Sequence, residues 1–120
     1  MLSEKDERWN RFISDVCMRD VSSLSDIQKK AVLCFWYDAE MNNGGFCGYL
    51  DVYPETNLKE LEGALREVAN DEIADNLCKA INEGEADGWV ETDMAFYGFE
   101  SSLISLPEEY VEANKEVIFD

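Results

Sequence analysis

The chain has no histidine, only ten basic residues against twenty-seven acidic ones, and no two cysteines at Cys-x-x-Cys spacing. Without histidine, neither a Ser-His-Asp nor a Cys-His nucleophile can be assembled, and histidine metal sets are excluded with them. The four cysteines, Cys17, Cys34, Cys47 and Cys78, stand far apart with no neighbouring base. They read as small core residues, not as reactive thiolates, zinc ligands or a disulfide framework. No segment approaches the ~18 uninterrupted apolar residues of a membrane span, and the first twenty residues lack the apolar run of a signal peptide, so a cytoplasmic location with no membrane contact is expected. Nor is there a basic patch. A chain of net charge −17 meets repulsion from a polyanion with nothing to offset it, which argues against direct DNA or RNA binding.

What the chain has is negative charge in a gradient: −2 over residues 1–40, −5 over 41–80 and −10 over 81–120. From Glu67 to Asn114 thirteen carboxylates face a single cation, Lys79, whereas Lys5, Arg8, Arg11 and Arg19 are interspersed with acids near the N-terminus. Such a distribution has two readings, a solubilising surface or a face for a cationic partner.

The charge does not imply disorder. Forty-six per cent of the 120 residues are apolar and fourteen are aromatic, enough for one globular domain spanning 1–120 with a substantial core. The apolar spacing is helical throughout. Trp9, Phe12, Ile13, Val16 and Cys17 form a one-sided stripe after Ser3; Ser25 with Gln28 makes a capping box before a helix from Ile27 to Met41; and Ala31 to Tyr37 is apolar on every side, the mark of a buried central helix. Asn57 with Glu60 opens a further helix through Leu58, Leu61, Leu65 and Val68, and Ile73, Leu77 and Ile81 supply its antiparallel partner. Glu83 to Gly88 is a loop leading into a helix with Trp89, Met94, Phe96, Tyr97 and Phe99. Ser105 and Glu108 bracket Pro107 as a third cap pattern ahead of Tyr110, Val111, Val117 and Ile118. The expected fold is all-α, a compact bundle of about six helices around a buried central helix, with Trp9, Phe12, Phe35, Trp36, Phe46, Tyr49, Leu61 and Leu65 in its core.

One segment interrupts the pattern: Glu40-Met41-Asn42-Asn43-Gly44-Gly45-Phe46. Asn43 and Gly44 tolerate the left-handed backbone that ends a helix, so Asn42, Asn43, Gly44, Gly45 and Phe46 read as a structural corner, with Phe46 and Tyr49 returning to the core. A phosphate cradle is disfavoured, because Gly-Lys-Ser/Thr, a preceding strand and a nearby cation are all missing. An apolar–Trp/Tyr–x–x–Glu helix followed by Asn-Asn-Gly-Gly-Phe and an aromatic three residues on resembles the bacterial DNA-mimic protein family, best over Phe35 to Leu50. Asp93-Met94-Ala95-Phe96-Tyr97 and Glu109-Tyr110-Val111 are similar to the family more loosely. The resemblance implies an all-helical, often homodimeric domain, some members of which present carboxylates in place of DNA phosphates.

Mimicry has a physical logic, since duplex DNA displays about one negative charge per 1.7 Å and attracts proteins largely through that field. Glu108, Glu112 and Glu116 recur every fourth residue, about 6 Å apart on one helix, with Glu109 beside them. With Glu91 and Asp93 they are the candidate partner-binding residues, and the expected partner is a basic DNA-binding protein. The same physics fits an immunity protein that neutralises a basic nuclease toxin. A carboxylate metal site is a further alternative, but Glu83, Glu85 and Asp87 match a calcium loop poorly, with Met94 where its bidentate Glu belongs. No catalytic residue, metal or cofactor is expected. Asp38 and Glu40, near the corner, read as capping groups or a polar site.

Overall fold

Four helices begin on short polar side chains that satisfy their first amides. In the computed structural model, which describes the backbone of residues 3–54 and 56–119 and their side chains outside 99–106, Ser3 caps α1 (Glu4–Ser14) by accepting the Asp6 amide. Ser25 and Gln28 form a complete reciprocal capping box on α2 (Asp26–Asn43). After α3 (Gly45–Val52), Asn57 caps α4 (Leu58–Val68) through the Glu60 amide, and Asn70 caps α5 (Asp71–Glu83) through that of Ile73. The long α6 (Val90–Ala113) and the single turn α7 (Lys115–Ile118) complete the order.

The architecture is all-helical around α2, but among the described residues it has seven α-helices and three 3-10 turns, not about six helices. The 3-10 turns are Val16–Met18, Val21–Ser23 and Gly84–Asp87, the last occupying the expected loop. The expected cap at Ser105 is absent as well: α6 runs through it, and Pro107 lies inside the helix. Proline in a helix interior removes one backbone bond and costs about 3 kcal/mol, so packing must outweigh it. The two ends of α6 supply that packing, Phe96 on one side of the proline and Val111 on the other, both buried.

Two apolar clusters meet on α2. Leu33, Cys34, Tyr37 and Met41 pack with Phe46 and Tyr49 of α3, Leu61 and Leu65 of α4, Ile73 and Leu77 of α5, and Phe96 of α6. Ala31 and Val32 instead join Phe12, Val16, Cys17, Val111 and Ile118. Trp36 and Tyr110 pack against both clusters, which explains why the run from Ala31 to Tyr37 has no polar face. Of the residues expected in the core, Phe12, Phe46, Tyr49, Leu61 and Leu65 are fully buried, while Trp9, Phe35 and Trp36 are half-buried at the cluster edges. Only two of the four cysteines are core residues: Cys17 and Cys34 are buried, Cys78 is half-buried and Cys47 lies on the outer face of α3. Gln28 is buried too, and its amide donates to the Ile118 carbonyl at 2.9 Å, so one side chain caps α2 and holds the last turn.

Candidate functional site

The corner between α2 and α3 comes first because it fixes where one candidate acid goes. The Gly44 amide closes α2 on the Glu40 carbonyl, and the backbone turns at Gly45, the left-handed residue, with φ +71°. Gly44 offers no side chain to cap α3. Asp93 of α6 does so instead, its Oδ1 accepting the Phe46 amide at 2.9 Å. A Cβ on Gly45 would lie 2.8 Å from Asp93 Cγ, so the close approach of that carboxylate requires glycine. Asn42 donates from its side chain to the Asp38 carbonyl at 2.8 Å and to Asp38 Oδ1 at 3.1 Å, binding the last turn of α2 together.

The other five candidate acids divide by what holds them. Glu112 on α6 receives both the Nε and the Nη2 of Arg8 from α1, the former at 2.9 Å, and Lys115 approaches to 3.5 Å. That fork holds the Glu112 carboxyl below the usual glutamate range and raises the Arg8 guanidinium, because the ionised pair is the hydrogen-bonded one. Glu91 is paired with Lys79 of α5 at 2.5 Å. Glu108, Glu109 and Glu116 have no ion-pair partner among the described residues; Glu109 and Glu116 are exposed and Glu108 is partly so. They do not continue one ridge. Asn114 ends α6, its side chain and amide both donating to the Tyr110 carbonyl, and Glu116 therefore belongs to α7.

The cations beyond residue 60 are consumed within the chain. Arg66 of α4 spans Glu62 at 3.0 Å, Asp71 at 3.1 Å and Asp75 at 2.8 Å, and Lys79 and Lys115 are taken as described. Three carboxylates around one guanidinium leave a local excess of two negative charges. Toward the N-terminus Lys29 pairs with Glu60 at 2.5 Å and Lys30 with Glu67 at 3.0 Å. Glu67 also accepts the Tyr110 hydroxyl at 2.6 Å, which with Lys30 keeps its carboxyl below the ordinary range.

The calcium-like run takes a different form. Asp87 Oδ2 accepts the Glu91 amide at 3.0 Å and so caps α6, while Glu83 and Asp87 share a hollow of about 210 Å³ with Lys79 and Glu91. Among the described residues no group of three or more Cys, Asp or Glu side chains converges as a metal site. Burial pushes the Cys17 thiol up to about 12 and the Cys34 thiol higher still, the opposite of an activated nucleophile. A groove of about 580 Å³ lined by Leu33, Trp36, Val52, Tyr53 and Pro54 also contains the Lys29–Glu60 pair, with Trp36 stacked on Tyr53 at 5.1 Å. No described helix is long and apolar enough to cross a membrane.

Sequence reasoning missed the roles of Arg8 and Lys79. The Arg8–Glu112 contact spans 104 residues and carries no local signal; Lys79 was legible as a cation in an acidic stretch but not as the partner of Glu91. Residues 22–116 match the family model described as DMP19-like protein. No curated protein and no solved structure matches the chain.

Proposed function

Since the chain belongs to the DMP19-like protein family, we propose that it binds a basic DNA-binding protein through surface carboxylates that stand in for DNA phosphates, and that it is not an enzyme. One observation carries this reading: beyond residue 60 the described cations are held by the chain's own acids, while Glu108, Glu109 and Glu116 have no ion-pair partner among the described residues. Negative charge is thus left over along the end of α6 and on α7. A basic partner neutralises that surplus and gains the counterion release and long-range steering that DNA offers it.

Glu112 has a structural part in this arrangement. Its Arg8 fork ties α1 to α6, so it holds the backbone from which Glu108 and Glu109 project. The candidate surface is Glu108, Glu109 and Glu116; Glu91, held by Lys79, and Asp93, the cap of α3, lie at the start of α6 and add to its charge.

The test is affinity capture from a lysate of the source cell at low and high salt, with the native chain compared against an E108K/E109K/E116K variant. The reading expects a basic nucleic-acid-binding protein at low salt, displaced by added duplex DNA and missing from the variant. Equal recovery by both baits, or no competition by DNA, defeats it. If the captured protein is a nuclease whose activity is blocked, the same surface acts in immunity.

A further inference from the structure

We propose that Val90, Met94 and Tyr97 on α6 anchor a basic amphipathic helix of a protein partner. This rests on the reading that the partner is basic, and adds what holds it once charge has brought it in. At about 100° per residue, positions separated by four and then three residues fall within about 60° of one another, so the three side chains form one row. The opposite side of the helix carries Thr92 and Phe96, both buried. In the row, Val90 is 57% exposed, Met94 70% and Tyr97 51%. Single exposed apolar residues are ordinary on a protein surface; three large ones in consecutive turns of one helix are not.

The charges bordering the row select the occupant. On the same helical wheel Glu91 lies to one side and Asp93, whose Oδ1 also caps α3, to the other, and the turn that enters the helix adds the exposed Glu85 and Asp87. Lys79 is the nearby cation, and Glu91 already holds it. A second copy of this chain is a poor fit. It brings the same acidic borders against these, and the row offers a few hundred Å² of apolar surface, short of the ~800 Å² per partner of a stable interface. A cationic helix with apolar residues at matching spacing fits both features: its lysines or arginines meet the borders while its apolar row removes Met94 and Tyr97 from water. The carboxylates then supply the salt-sensitive part of the affinity and the row the salt-resistant part.

The test uses two synthetic helical peptides of equal charge and about five turns. One carries leucine at heptad a and d positions with lysine elsewhere, and the other has glutamine at the leucine positions. Binding is followed by fluorescence anisotropy at about 50 mM and about 500 mM NaCl, where the screening length falls severalfold. The chains compared are the native protein, V90S/M94S/Y97S and E108K/E109K/E116K, each checked for native helicity by circular dichroism. The leucine peptide should bind the native chain more tightly than the glutamine peptide. The serine variant should lose at least about tenfold at both salts with an unchanged salt slope, whereas the lysine variant should flatten the slope. A serine variant that binds the leucine peptide as tightly as the native chain overturns the anchor. So does sedimentation showing a native dimer that the serine variant dissolves, which gives the row to a second copy. Native affinity that is equal at the two salts instead defeats the acidic-surface reading, whatever the serine variant does.

Discussion

Asp93 and Gly45 occupy one place. The carboxylate that caps α3 through the Phe46 amide lies where a Cβ at position 45 would be, and Gly45 at φ +71° is the residue whose lack of one admits it. The two residues are forty-eight positions apart, and together they lock α6 across the start of α3. A sequence motif that looks like a local turn is thus half of a tertiary contact.

Gly45→Ala should therefore be destabilising on two counts, left-handed strain of about 1–2 kcal/mol and collision with Asp93. Asp93→Ala should cost about 1 kcal/mol, as for other lost helix caps, and Asp93→Asn less, because an acceptor remains. In urea melts the G45A/D93A double variant should lose less than the sum of the singles, since the collision is gone and only the strain persists. Strict additivity would contradict the shared position.

Charge reversal should separate the acids by role. Glu112→Lys places a cation against Arg8 and Lys115 and should lower the melting temperature. Glu108→Lys, Glu109→Lys and Glu116→Lys, each relieving repulsion in a −17 chain, should leave it unchanged or raise it. Thermal melts of the four single variants decide the matter, and equal destabilisation by all four would refute the division.

The acid limb of stability follows from the direction of the Glu112 shift. Its folded carboxyl is held below the ordinary range, so the Arg8 pair contributes in full above the unfolded glutamate pKa of ~4.3 and is lost as pH falls through the depressed value. Glu112→Gln should accordingly melt below the native chain at pH 7, and the two curves should converge below about pH 4. At pH 7 added salt should raise the native melting temperature by screening the net charge.

Trp89 is a non-glycine residue at φ +63°, a conformation that costs about 1–3 kcal/mol and must be held by its surroundings. Its indole N–H donates to the Ala80 carbonyl at 3.1 Å, its ring lies 5.7 Å from that of Phe46, and a Cβ on Gly84 would come within 2.8 Å of its Nε1. Trp89→Phe keeps a ring but drops the bond to Ala80, and should cost about 1 kcal/mol by chemical denaturation. Gly84→Ala should cost more, since its methyl has nowhere to go. A neutral Gly84→Ala would mean that the indole can swing clear.

The helices were legible because their signals are local: Ser25 with Gln28 writes both halves of its capping box within four residues, and Leu61 and Leu65 declare a buried face by spacing alone. Pro107 reads as a helix start because a proline two residues after Ser105 fits a first-turn position, and only packing from both ends of α6 overrides that preference. Spacing suggested one ridge for Glu108, Glu112 and Glu116, but spacing cannot report that Asn114 ends the helix or that Arg8 waits 104 positions away. The left-handed corner residue was off by one position, as Asn43, Gly44 and Gly45 all tolerate that backbone and only the Asp93 contact chooses among them. Met94 and Tyr97 show a related limit: the spacing that makes them helical does not tell whether the chain itself covers them, and both are exposed.

The three tryptophans divide the molecule optically. Trp9 stacks on Phe12 at 5.3 Å in the cluster that contains Ile118, Trp36 lies on Tyr53 in the groove, and Trp89 stands at the corner beside the exposed row of α6. Each indole emits from a different part of the fold, so single-tryptophan variants turn the native chain into three separate fluorescence probes without an attached dye. Light from Trp89 would register occupation of α6, while that from Trp9 should stay constant until the chain unfolds.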